Sequence, residues 1–159
     1  MSRSPCLKWP PTLSDSFPTP AVKITATASA SCAEVKAEMG ARVDGQYAAW
    51  HDPHNNGTYT SQSYGGDYSA SRLTGDGKYT DKMIFDLTDA GDGGCTIEAC
   101  SRSQVFSIGD AGTNYCDLKM LFCGTADGCK PVKNDFTVSG EKTEKFAQST
   151  VNLKGCLKV

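Results

Sequence analysis

The segment KYTDKMIFDLT, residues 78–88, decides the fold class of this sequence because its apolar and polar residues alternate. The predicted apolar face carries Tyr79, Asp81, Met83, Phe85 and Leu87, and the other face carries Lys82 and Asp86. Two residues depart from the alternation. Asp81 is charged although it lies on the apolar face, and Ile84 is apolar although it lies on the polar face. A period of two is typical of a strand with one buried face, so this segment predicts a β-sheet.

Further short strands are predicted on both sides of this segment. Their expected ranges are 58–64, 67–74, 95–108 and 113–123. The last of these alternates well, with its apolar residues at even positions from Cys116 to Phe122. Glycine and aspartate turns such as Gly75-Asp76-Gly77 separate the strands, which is typical of antiparallel connections. We therefore expect an antiparallel β-meander of about five strands.

One helix is predicted before the strands. Ser31 and Glu34 have the spacing of a capping box, and apolar residues recur every fourth position at Val35, Met39 and Val43. The sequence thus predicts an α+β fold, with an N-terminal amphipathic helix packed on the meander and stapled by disulfides. A small closed β-barrel with one helix is the alternative.

Eight cysteines compensate for a scarcity of core-forming side chains. Leu, Ile, Val and Phe together make up 26 of the 159 residues, below the roughly 20% expected of a chain that folds by burial alone. No Cys-x-x-Cys spacing of the kind that binds zinc is present. We expect disulfides at Cys6, Cys32, Cys95, Cys100, Cys116, Cys123, Cys129 and Cys156. Cysteine spacing does not determine which of them pair.

The first 30 residues differ in composition from the rest. They contain most of the prolines, and Ala28-Ser29-Ala30 matches a signal-cleavage site, but no long apolar stretch precedes it. We expect residues 1–30 to form a leader or linker and residues 31–159 a single cystine-rich domain. With the cysteines, this favours an extracellular location or another oxidising lumen.

Charge and hydropathy exclude two classes of partner. The net charge is −2 and the basic residues are scattered, whereas nucleic-acid binding requires a basic surface to neutralise phosphates. The longest apolar run in the body of the chain, 120–122, has three residues, whereas a membrane-spanning helix needs about 20. We expect no nucleic-acid partner and no membrane span.

A cluster of aromatic residues is the predicted binding surface. Trp50, Tyr59, Tyr64 and Tyr68 lie among polar residues, as is typical of surfaces that recognise a glycan or a protein. The competing interpretation is that Trp50 and some of the tyrosines belong to the core. The sequence Asn56-Gly57-Thr58 is an N-glycosylation sequon in a predicted turn.

The two histidines suggest a metal site. His51, Asp52 and His54 could supply two imidazoles and a carboxylate to zinc. Asp-Pro and Asn-Gly are also turn-forming pairs, so an exposed turn is the alternative. Apart from this candidate site, we expect no cofactor.

The predicted function is that of a secreted, disulfide-rich binding module that recognises a protein or a glycan. We expect no enzymatic activity, because no nucleophile motif or pair of catalytic carboxylates is evident. One alternative is a small secreted metal-dependent hydrolase that uses the His51/His54 turn. Another is an inhibitor or toxin-like protein that presents the loop 124–130.

Overall fold

A computed structural model describes residues 21–54, 56–103, 113–146 and 153–157. In chain order, its elements are β1 (Ala21–Ala28), α1 (Cys32–Gly45), β2 (Thr58–Ser61), β3 (Tyr68–Leu73), β4 (Thr80–Asp89), β5 (Cys95–Ser103), α2 (Thr113–Phe122), β6 (Val138–Phe146) and α3 (Leu153–Cys156). Across these four ranges, no helix is both long and apolar enough to cross a membrane.

The six strands form one antiparallel sheet in the order β2-β3-β4-β5-β1-β6. Strands β2 to β5 are a meander, and β1 is inserted between β5 and β6. The α+β class, the antiparallel sheet and the disulfides are therefore confirmed. The sheet is open, with β2 and β6 at its edges, so the closed-barrel alternative is not supported.

One face of the sheet is the apolar core. Register places Ile24, Ala99, Phe85 and Tyr68 side by side across β1, β5, β4 and β3. The first three of these are completely buried, and burying a side chain such as Phe or Ile stabilises a fold by about 1.5–3 kcal/mol. The alternation in 78–88 thus reports a real buried face.

Strand β1 includes residues from the segment predicted as a leader or linker. Ala21–Ala28 pair with β5 on one side and β6 on the other, and Val22 and Ile24 are fully buried. Cleavage after residue 30 would remove this interior strand. The division into 1–30 and 31–159 stays a prediction, and residues 1–20 lie outside the described residues.

The predicted capping box begins α1. The Glu34 amide donates to Ser31 Oγ at 3.3 Å, and the Ser31 amide donates to Glu34 Oε2 at 2.9 Å. Val35, Met39 and Val43 are buried in the core. That α1 is the helix covering the sheet stays a prediction, because α1 lies mainly beside α2 and β2, whereas α2 adjoins β5, β1 and β4.

The prediction of a strand at 113–123 was wrong. Thr113–Phe122 is α2, and every residue from Asn114 to Phe122 is buried. A helix that is buried on all sides has no polar face and therefore lacks the 3.6-residue pattern. The alternation of apolar and polar residues in α2 therefore does not indicate a strand. The predicted strand 95–108 is confirmed as β5 over Cys95–Ser103, and 104–108 lie outside the described residues.

Three disulfides are described. They join Cys32 to Cys95, Cys116 to Cys156 and Cys123 to Cys129, across 63, 40 and 6 residues. By loop-closure entropy they contribute about 4, 4 and 2 kcal/mol respectively. Cys100 is also disulfide-bonded, and Cys6 lies outside the described residues.

Candidate functional site

The chain leaves α1 through a tight turn that is fixed in a strained conformation. Tyr47 has a φ of 64°, in the left-handed region that costs a non-glycine residue roughly 1–2 kcal/mol. Its amide donates to the Trp50 carbonyl. The Gln46 side chain exchanges two hydrogen bonds with the backbone of Tyr59, at 2.5 and 2.8 Å. The structure around the turn thus holds Tyr47 in place.

The ring of Tyr47 is exposed but held in one orientation. Its residue is 56% exposed, and its hydroxyl donates to the carbonyls of Asn56 at 2.8 Å and Gly57 at 3.1 Å. The ring stacks on His51 with centroids 6.4 Å apart and planes at 21°. The turn therefore presents two parallel rings to solvent.

A cavity of about 600 Å³ lies between this turn and the loop 123–130. It is lined by Tyr47, Ala48, Ala49, Trp50, His51, Pro53, Asn56, Met120, Cys123, Gly128, Cys129, Lys130 and Leu157. This lining is aromatic and apolar, with amide, imidazole and ammonium groups. Among the described residues that line it there is no Asp, Glu, Ser or Thr side chain, and His51 supplies the imidazole.

A buried arginine holds the far wall of the cavity. Arg42 donates to the carbonyls of Met120 at 2.7 Å and Cys123 at 2.6 Å, and its Nε pairs with Glu38 at 2.6 Å. Glu38 also accepts backbone hydrogen bonds from residues 132–134 at 2.6 to 2.9 Å. Burial opposes ionisation, but these hydrogen bonds hold the pKa of Glu38 below its ordinary value.

A second buried arginine holds the near wall. Arg72 Nε pairs with Asp52 Oδ2 at 2.8 Å, and its guanidinium also donates to the His54 carbonyl. The other oxygen of Asp52 accepts the His54 amide at 2.8 Å. A Cβ at Gly57 would lie 2.1 Å from Arg72 Cζ, so only glycine allows this close approach. Arg72 therefore clamps the 52–54 turn.

Arg72 belongs to a polar row across the otherwise apolar face of the sheet. Register sets Tyr59, Arg72, Asp81 and Ser103 side by side on β2, β3, β4 and β5. Asp117 of α2 covers this row and lies 3.4 Å from Arg72 Nε. All five residues are buried, so a small set of charges is enclosed between the sheet and α2.

The enclosed carboxyl groups are in an unusual protonation environment. Burial raises the pKa of Asp117 well above its usual range, and the neighbouring Asp81 raises it further, whereas Arg72 lowers it. Burial also raises the pKa of Tyr59, whose hydroxyl donates to the Asp117 carbonyl at 3.0 Å. Asp117 is therefore uncharged under conditions in which an exposed aspartate is ionised.

The predicted binding aromatics separate in the structure. Trp50 lines the cavity although it is only 7% exposed, and Tyr59 is in the core at 1%. Tyr64 and Tyr68 are half-buried away from the cavity lining. Tyr64 lies under Lys82, with the ammonium 5.0 Å from the ring centroid, and Tyr68 packs on Phe85.

The predicted metal ligands are not brought together. His51 stacks on Tyr47, Asp52 pairs with Arg72, and His54 Nε2 lies 3.4 Å from Thr113 Oγ1. Within the described ranges, no group of three or more His, Cys, Asp or Glu residues could hold a metal ion. The turn alternates instead: residues 51 and 53 line the cavity, and residues 52 and 54 contact Arg72.

Asn56, the predicted glycosylation site, lies on the rim of the cavity. It is exposed, with a φ of 52°, and its residue lines the cavity. The sequon is therefore at the surface, where a glycosyltransferase could reach it. Glycosylation itself stays a prediction.

Sequence reasoning missed the Arg72 cluster and the contribution of loop 123–130 to the cavity. One signal of the cluster was visible, because Asp81 departs from the alternation of its strand. Its partners Asp52, Arg72 and Asp117 are distant in sequence, and only the register of the sheet brings them together. Tyr47 was not among the residues predicted to bind.

Comparison with known proteins finds no matching family model, no similar curated protein and no similar solved structure. The function of the cavity is therefore inferred from its own geometry.

Proposed function

We propose that this protein is a secreted, disulfide-stapled binding module, and that the cavity beside Tyr47 binds a sugar unit of a glycan partner. The observation that carries the proposal is the exposed ring pair of Tyr47 and His51, with Tyr47 held by hydrogen bonds, in the lining of a cavity of about 600 Å³. That volume is within the roughly 300–1,000 Å³ of typical small-ligand sites.

The ring pair suits a sugar because a pyranose presents a flat C–H face. Aromatic side chains offer a large apolar area with little rotameric entropy to lose on binding. Tyr47 has already lost that freedom, since its hydroxyl bonds two carbonyls and its backbone is held by Trp50. Binding therefore incurs little further ordering cost.

Polar groups around the rings can recognise hydroxyl groups. The cavity lining includes Asn56, His51 and Lys130. Their amide, imidazole and ammonium groups provide hydrogen-bond donors, and the side-chain oxygen of Asn56 provides an acceptor. The Lys130 charge favours a ligand with an acidic substituent. A few polar groups in an apolar lining are typical of a specific small-ligand site.

The competing functions have less support. A metal-dependent hydrolase at the His51/His54 turn would need ligands that point to one centre, and these side chains diverge. An inhibitor would present loop 124–130, in which Thr125, Ala126, Gly128 and Lys130 are exposed, but no observation indicates a target for this loop. Secretion is supported by the disulfides, which persist in oxidising compartments.

The test is binding of the full chain to a panel of immobilised neutral and acidic oligosaccharides, followed by calorimetry on any sugar bound. Tyr47→Gly is the decisive variant, because glycine accepts the left-handed backbone while the ring is lost. We expect at least a tenfold loss of affinity, about 1.4 kcal/mol. Tyr79→Ala is the matched control, since Tyr79 is also an exposed tyrosine, at 40%, but does not line the cavity.

Two results would overturn the proposal. One is the absence of any sugar bound at millimolar concentration by the folded chain. The other is a bound sugar whose affinity is the same for wild type and Tyr47→Gly, or falls equally in Tyr79→Ala.

A further inference from the structure

The charges enclosed between the sheet and α2 do not balance. Asp52, Asp81 and Asp117 are buried there, and Arg72 supplies the cation in both ion pairs that the described residues form with these carboxyl groups. A buried carboxylate without a compensating charge costs several kcal/mol. One arginine therefore cannot keep all three carboxyl groups ionised.

Hydrogen bonding shows which carboxyl group Arg72 neutralises. Both oxygens of Asp52 have donors, the Arg72 Nε at 2.8 Å and the His54 amide at 2.8 Å. Asp81 Oδ1 and Asp117 Oδ1, in contrast, are buried without a hydrogen-bond partner among the described residues. Asp52 is therefore the anion of the main ion pair. The shortage of positive charge affects Asp81 and Asp117.

Asp81 and Asp117 both adjoin Arg72. Asp81 is opposite Arg72 in the β3–β4 register, and Asp117 of α2 lies 3.4 Å from Arg72 Nε. Both are buried, and each has an oxygen without a donor among the described residues. Two carboxylates are both acceptors, so neither can supply the missing donor of the other unless one of them carries a proton. Burial and the neighbouring Asp81, which raise the pKa of Asp117, identify Asp117 as the group that holds it.

Within the described ranges, their other neighbours contribute no counter-charge besides Arg72. Tyr59 faces the pair from β2, Arg72 from β3, and Asp52 and the His54 carbonyl from the turn. Uncharged groups complete the enclosure, namely Ser101 and Ser103 from β5 and Asn114 from α2. Ser101 Oγ donates to Asp117 Oδ2 at 3.1 Å.

We propose that a proton held by Asp117, beside Asp81 and Arg72, is a pH-sensitive latch on the cavity wall. While the proton is present, Arg72 remains committed to Asp52 and to the His54 carbonyl and holds the 52–54 turn. When rising pH removes it, two adjacent buried anions compete for Arg72, and the turn that carries His51 and Pro53 is released. The effect on ligand binding rests on the proposed function, whereas the proton and the turn do not.

The direction of the pH dependence follows from linkage. Because burial and Asp81 raise the pKa of Asp117 in the folded protein, the folded state binds more protons than the unfolded chain above the ordinary aspartate value near 3.8. The contribution to stability is complete below that value and is lost as pH rises through the folded pKa. The latch is thus closed in acid and opens toward alkaline pH.

The first experiment compares unfolding of the full oxidised chain in urea from pH 4 to pH 9 for wild type and Asp117→Asn. Asparagine mimics the protonated carboxyl, so the variant should lose the pH dependence. In the window where the proton is lost, the ratio of the two unfolding constants should change by up to about tenfold per pH unit. Asp86→Asn is the control, since Asp86 is a buried carboxyl on the same strand but on its other face.

A second measurement covers the case in which Asp117→Asn does not fold. Carbon-13 NMR of the aspartate carboxyl groups in wild type should show one that stays protonated at pH values where exposed aspartates are ionised. Hydrogen exchange should show the protection factor of the His54 amide falling at the pH where that carboxyl ionises. Titration of every aspartate in the ordinary range near 3.8, an unchanged His54 protection factor, or a pH-independent ratio of unfolding constants would each overturn the proposal. None of these readouts requires a ligand, so a failure to bind sugar leaves them unaffected.

Discussion

The two walls of the cavity are held by two buried arginines whose surroundings differ in charge. Arg42 faces one carboxylate, Glu38. The oxygens of Glu38 also accept hydrogen bonds from three backbone amides of 132–134. Arg72 faces three carboxyl groups, and two of them have oxygens without a donor in the described chain. The comparison shows two solutions to a buried charge: fixed backbone donors in the first case, and a titratable proton in the second.

The difference also predicts opposite responses to pH. The hydrogen bonds to Glu38 lower its pKa despite burial, so its contribution is present above the ordinary value of 4.5 and is lost as pH falls through the folded pKa. Burial and the neighbouring Asp81 raise the pKa of Asp117, so its contribution is lost as pH rises. The far wall should therefore weaken in acid and the near wall in alkali.

The largest effect should come from Arg72→Met. This change leaves three buried carboxyl groups without a cation, and breaking a buried pair in this way costs about 3–5 kcal/mol. The loss should be greatest at pH 7 and smaller at pH 4, because acid can neutralise the aspartates. Urea unfolding at both pH values measures it. An equal loss at the two values would mean that the carboxyl groups do not carry the excess charge.

A smaller effect is expected from Glu38→Gln. The amide oxygen can still accept some of the backbone hydrogen bonds, but the charge that pairs with Arg42 is lost, so we expect a loss of about 2–3 kcal/mol at pH 7. The variant should also lose the weakening between pH 5 and pH 3 that Glu38 gives to wild type. Unfolding measured across that range tests both points.

Glu98→Gln is the matched control for this variant, since Glu98 lies on β5 and is only partly buried. If Glu38→Gln keeps the acid weakening of wild type, Glu38 is not its source.

The smallest effect is expected from Ser31→Ala, about two turns before Glu38. Loss of the N-cap hydroxyl removes the acceptor for the Glu34 amide and should cost about 1 kcal/mol. Thermal unfolding at pH 7 measures it. If Ser31→Ala and Glu38→Gln lower the free energy of unfolding equally, the buried charge of Glu38 contributes no more than an exposed helix cap.

The sequence predicted those parts of the fold that depend on local pattern. The capping box at Ser31 and the strand of 78–88 depend on neighbours within a few residues, and both were confirmed. Helix α2 was missed because burial on all sides removes the periodicity by which a helix is recognised. The register that joins β1 to β5 and β6 involves distant segments, which a single sequence does not pair.

The candidate site was less predictable for the same reason. Trp50 and Tyr59 were predicted to share one binding surface, but whether an aromatic residue is exposed depends on what covers it, as the burial of Tyr59 shows. Asp81 stood out in its strand, yet its partners come from a turn, from β3 and from α2. A charged residue at a position that should be apolar therefore indicates a buried polar cluster, but it does not identify the other residues of that cluster.

The alternation of the 51–54 turn separates two kinds of constraint along four consecutive residues. Positions 51 and 53 contact whatever occupies the cavity, whereas 52 and 54 anchor the backbone to Arg72. Substitutions at positions 51 and 53 can alter ligand selectivity without disturbing the contacts with Arg72 that anchor the turn. A combinatorial library restricted to positions 51 and 53 should thus yield well-folded members with new specificities, which makes this turn a natural starting point for engineering or for evolutionary diversification.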